Sequence, residues 1–225
     1  MGRMRGCYFV IIMVVAMLLG GAACGRMFVI ADHPFVLAEE PPGMPRLPLR
    51  VAILRTPAMR EIPTKIGQDE LYGERLAIAL MQGLRDAGSL VVKEIWVAET
   101  MPQTDVDLIC LPTNPYFDAQ WDERKHLRVT MTLEVTVIEP RTGAQRGLLL
   151  QAEGTPGRRP AVPVHISDPD TSETWNAGVT GAWVQSSRFD QAVNNALFYL
   201  SLDFAEKLQK RGAQYLRETR EGSPN

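Results

Sequence analysis

The clearest pattern in the chain is the stretch "KHLRVTMTLEVTVIEP". Leu127, Val129, Met131, Leu133, Val135 and Val137 point one way, and Arg128, Thr130, Thr132, Glu134 and Thr136 point the other. A period of two over this length predicts a strand with one face covered and one face open. "EPRTGAQ" reads as a turn, and "RGLLLQAEG" as the returning strand of an antiparallel hairpin. Upstream, "LRVAILRT", "LVVKEIWVA" and "VDLICLP" are short apolar strands. Between the first two lies "DELYGERLAIALMQGLRDAG", where Leu71, Leu76, Leu80, Leu84 and Ala87 recur at helical spacing. Asp69 is its expected N-cap and Gly88 its stop. Gly73 and Gly83 weaken the helix, so at least one is expected to allow a close approach. The final element, "SRFDQAVNNALFYLSLDFAEKLQKRG", carries an apolar stripe of Phe189, Val193, Ala196, Leu197, Leu200, Phe204 and Leu208 behind a capping-box-like Ser187 and Asp190. The order is β-α-β-β-β-β-α. It predicts a two-layer α+β fold, a mixed sheet with two helices packed on one face, over residues 49–212.

Three stretches lack such periodicity. Residues 24–48 hold Pro34, Pro41, Pro42, Pro45 and Pro48 and read as a tether. As a flexible coil it spans about 27 Å, and about 80 Å fully extended. Residues 154–187 are dense in Gly, Pro, Ser and Thr and read as one long loop, functional or mobile. Its Trp175 and Trp183 are candidate anchors for a partner, or pins that hold the loop to its own domain. Residues 213–225 read as a charged, frayed tail.

The first residues carry Arg3 and Arg5, then an uncharged run from Cys7 to Ala23 that ends in small residues. This is the three-part pattern of an export signal, and it is shorter than the roughly 20 residues of a membrane-spanning helix. "GAAC" resembles a bacterial lipobox, in which a dedicated peptidase cuts before a lipid-modified cysteine. That resemblance makes 1–23 a lipoprotein signal peptide and Cys24 the acylated residue. Cleavage after Ala38 by the ordinary signal peptidase, an uncleaved anchor and a chance match in a cytoplasmic protein are the alternatives. Residue 25 is Gly rather than Asp, which by the sorting pattern of enteric lipoproteins implies the outer membrane, periplasmic face. With Cys24 acylated, Cys110 stands alone; with Cys24 free, a Cys24–Cys110 bridge is available in an oxidising compartment. Cys110 lies in an apolar run and reads as a buried thiol.

Removing 1–23 leaves 22 basic against 26 acidic residues, since Arg3 and Arg5 depart with the signal. A net charge near −4 argues against nucleic acid as the main partner. Phosphate-cradling glycine loops and a G-x-S-x-G elbow are missing from the sequence. His33, His126 and His165 share no ligand spacing, and "DPDTSE" lacks the Gly and Glu of a calcium loop, so neither a metal nor a cofactor is expected. Asp105 and Asp107 read as a strand-end cap rather than an acid–base pair. The basic residues are scattered. If Arg128, Arg158 and Arg159 converge with others on the open sheet face, they form a candidate site for a partner or for anionic headgroups.

In architecture, "RVAIL", "LAIALMQGLRDAG" and "LRVTMTLEVTVIEPRTG" resemble small bacterial envelope lipoproteins with an α/β module like the N-terminal domain of TolB. That group includes the curli-secretion lipoprotein CsgG, the activator of penicillin-binding proteins and auxiliary lipoproteins of ABC-type transport. LptE-like proteins look similar too. The resemblance implies a non-enzymatic, lipid-anchored accessory of an envelope assembly, transport or secretion machine, acting by protein–protein contact with an envelope partner or as a homo-oligomer. Binding of lipid or glycolipid in an outer-membrane transport system is the alternative.

Overall fold

The computed structural model describes residues 30–31, 33–39, 45–64, 70–102, 105–121, 123, 126–157, 162–167, 174–181 and 187–221. The expected two-layer α+β core is present. Its strands are β2 (Leu47–Leu54), β3 (Val92–Ala98), β4 (Leu108–Trp121), β5 (Leu127–Ile138) and β6 (Gln145–Gly154), after a first strand β1 (Phe35–Glu39). The helices are α1 (Glu70–Gly88) and α2 (Arg188–Glu221). The five-stranded sheet runs in the order β3-β2-β4-β5-β6. β2 is parallel to both β3 and β4, whereas β4, β5 and β6 form an antiparallel meander.

Register follows the hydrophobic pattern, because a one-residue slip would turn every buried side chain to water. Leu127, Val129, Met131, Leu133, Val135 and Val137 are all buried on the helix side. Leu150 and Ala152 join them from β6, and Leu49, Val51 and Ile53 from β2. Each fully buried side chain of this kind contributes roughly 1.5–3 kcal/mol. Leu76, Leu80, Leu84 and Ala87 of α1 complete the layer. The expected Asp69 cap lies outside the described residues.

α2 departs from a simple amphipathic helix. Asp190 and every residue from Ala192 to Phe198 are buried, so this stretch has no wet side. A helix buried on all sides is a central element. Ser187 caps it as expected, its Oγ accepting from Asp190 N at 3.2 Å and donating to Asp190 Oδ2 at 2.7 Å. The polar residues within this buried stretch act as latches. Asn195 Nδ2 donates to the carbonyls of Thr155 and Gly157, at 2.6 and 3.0 Å. Asn194 Oδ1 accepts from Ala31 N at 2.9 Å. The far end of α2 is not a frayed tail: the helix continues to Glu221, and Tyr215 is buried. Ala213 and Leu216 pack against the core beside Tyr215, and just upstream the Arg211 guanidinium forms a buried ion pair with Glu139 at the β5–β6 turn.

The loop and tether expectations also change. Strands β7 (Val162–Ser167) and β8 (Thr174–Gly181) lie within 154–187, and β1 lies within the proline-rich 24–48 stretch. Together they make a separate antiparallel sheet, ordered β1-β8-β7. Phe35 stands opposite Gly181 and Val162 opposite Val179, so the pairing of β1 is remote in sequence and no local pattern announces it. β4 likewise runs on to Trp121, well past the expected Pro112. A register shift between Thr113 and Tyr116, with Asn114 at φ 51°, absorbs the interruption that Asn114 and Pro115 signal in the sequence.

Candidate functional site

The side of the five-stranded sheet away from the helices is the candidate interface. Residues paired across strands share a face, so Ile109, Leu111, Tyr116 and Asp118 lie beside Ile138, Thr136, Thr132 and Thr130. The same face receives Ala52 and Leu54 from β2 and Trp96 from β3. Val106, from the β3–β4 connection, packs with Ala52 and Ile109, while Leu54, Trp96, Leu111 and Ile138 surround them half-buried. Tyr116 and Leu149 stand 47% and 58% exposed. One end of this face is therefore apolar and aromatic, and its centre is a threonine ladder.

The two sheet edges differ. At β6, Gln151 N donates to Asp203 Oδ2 at 3.1 Å, and Lys207 Nζ donates to the Leu149 carbonyl. These side chains of α2 occupy hydrogen-bonding groups that a further strand would need. At β3, no described residue pairs with the outer edge.

Among the anticipated site residues, Arg128 is on the open face, its Nη1 3.4 Å from Glu153 Oε2. Both side chains are at least half exposed, so the pair contributes little to stability. Trp175 lies on β8 opposite Ile166, in the other sheet and not beside Arg128. Cys24, Arg158, Arg159 and Trp183 lie outside the described residues, as does the "DPDTSE" stretch.

Three further described arginines around this sheet do not gather on the open face either; each of the three meets an acid. Arg50 Nε is 3.1 Å from Glu94 and its Nη1 3.5 Å from Asp105. Arg55 is 3.3 Å from Glu99, and Arg141 is 3.9 Å from Asp107. Asp107 also accepts from Arg50 N at 2.9 Å, the expected strand-end cap. Trp96, Tyr116 and Leu149 belong to the site without a motif to mark them. Period-two counting from Ala52 and Thr132 finds the first two once the strands are paired, whereas Leu149 is hidden in a run of three leucines.

Cys110 is fully buried on β4, and burial pushes its thiol up to about 12. At neutral pH it is a protonated apolar filler.

No family model matches the chain, and no curated protein matches it. Among solved structures it is similar to protein XCC0632 from Xanthomonas campestris, described as DUF330, with 11% identity and a TM-score of 0.46. That match covers 84% of this chain and 99% of the other. A second similarity is to the PelC dodecamer from Paraburkholderia phytofirmans, with 12% identity and a TM-score of 0.32 over 75% of this chain and 95% of that one.

Proposed function

We propose that the chain is a lipid-anchored, non-enzymatic accessory protein at the periplasmic face of the outer membrane. It serves an envelope assembly, transport or secretion machine and works by protein–protein contact. The anchor is Cys24, supported by the export pattern of residues 1–23 and the "GAAC" sequence before Gly25. The observation that carries the contact reading is the sheet face away from the helices, where Trp96, Leu111 and Ile138 are only half-buried and Tyr116 and Leu149 are exposed. Apolar surface gathered on one face favours a partner over water. The matched charges of Arg50, Arg55, Arg128 and Arg141 leave little excess positive charge for anionic headgroups, so a protein partner is the better reading of this face.

Photo-crosslinking in cells tests it. A crosslinkable residue at Tyr116 or Leu149 should give a discrete adduct that is not formed from Arg217, which is exposed on α2. Identical monomer bands from all three positions would remove the open face as the contact surface.

A further inference from the structure

The start of the described chain is not a free spacer. Ile30 lines an open groove of about 310 Å³ with Arg75, Ile78 and Ala79 of α1. Ala31 N is held by Asn194 at 2.9 Å, and His33 Nδ1 lies 2.8 Å from Asp86 Oδ2. Pro34 is buried against Gly83, and the next residue enters β1. The chain is thus fastened to α1 and α2 at Ile30, Ala31, His33 and Pro34. At most, the steps from Cys24 to Ile30 remain as a leash, and fully extended they reach about 21 Å. A domain of this size is about 40 Å across, from a radius of gyration of about 16 Å. The leash is shorter than the domain is wide.

From this geometry, and resting on acylation of Cys24 as proposed above, we infer that the outer side of α1 around Ile78 lies against the phospholipid surface. Ile78 is 46% exposed, the apolar member of an outward stripe with Glu74, Arg75, Gln82 and Arg85. An apolar side chain beside an arginine suits the headgroup boundary, where the chain enters the acyl region and the guanidinium stays among phosphates. The helices cover one side of the sheet, so this orientation turns the open face, with Tyr116 and Leu149, away from the membrane. A short leash then presents that face to the periplasm in a fixed direction.

The test uses full-length acylated protein in phosphatidylethanolamine–phosphatidylglycerol vesicles containing brominated lipid. A fluorophore is placed at Ile78→Cys or at Tyr116→Cys; buried Cys110 does not compete for label. The expected result is several-fold stronger quenching at position 78 than at 116. Inserting a long Gly-Ser segment between Gly25 and Arg26 should abolish the difference. Equal quenching at both positions, in protein whose Cys24 acylation is verified by mass, overturns the orientation. Absence of acyl groups on Cys24 overturns the anchoring itself, and the orientation with it.

Discussion

The crossing of α1 and α2 can be tested with one added methyl group. A Cβ on Gly83 would collide with Ser201 Oγ and come within 2.9 Å of Pro34 Cγ. Gly83→Ala gains about 1 kcal/mol of helix propensity. Overpacking at a buried crossing costs about 1–3 kcal/mol. The net expectation is a loss of roughly 1 kcal/mol, where an exposed helix position would gain. Ser201→Ala removes the colliding oxygen together with its own bond to the Leu197 carbonyl, 2.8 Å. Such back-bonding within a helix adds little, so this variant should lie within about 0.5 kcal/mol of the parent. The double variant keeps the propensity gain without the main collision and should recover most of the loss. Urea unfolding of the Cys24→Ser mature chain, at unchanged m-value, measures the cycle. The coupling should be about 1 kcal/mol or more, beyond the roughly 0.3–0.5 kcal/mol scatter of independent sites. Additive effects would refute the close crossing, and with it the seat of Pro34.

Gly154→Ala should cost more, about 2–4 kcal/mol, because its Cβ meets the backbone of α2 at Ala192 and Ala196, which cannot rotate away. Gly147→Ala, with open space around it, is the control and should be nearly neutral in the same unfolding assay. Arg211→Met leaves buried Glu139 without its charge partner and should cost about 3–5 kcal/mol, whereas Glu139→Gln combined with Arg211→Met should cost less. The Cys110 thiol is held protonated by burial up to about 12, while in the unfolded chain it ionises near its ordinary 9.0. The unfolded state therefore loses its proton first as pH rises, and folding stability falls by roughly 1 kcal/mol per pH unit in that window. Comparing Cys110→Val with the parent as pH rises above 9.0 isolates this slope, and parallel curves would contradict it.

The five-stranded sheet and both helices are legible in the sequence because their patterns are local. Val129 to Val137 repeat every second residue, and one register satisfies them all. The small sheet is not legible, because β1 finds its partner across most of the chain and prolines suppress the strand signal on both sides. The central position of α2 is hidden for a different reason. Asn194 and Asn195 look like an exposed face, and become buried only because the segments around Ala31 and Thr155 fold back onto them. Alternation alone places Arg128 on the open face. The aromatic and apolar cluster there, around Trp96, Leu111 and Ile138, needs strand order, and strand order is long-range information.

The proposed function stands or falls with acylation of Cys24. Mass spectrometry of the N-terminal peptide, taken from protein extracted from membranes, tests it most directly. The expected product is a mature chain that begins at Cys24 and carries the added mass of glyceryl-linked acyl groups. A peptide that begins at Glu39, or an unmodified Cys24, would contradict it.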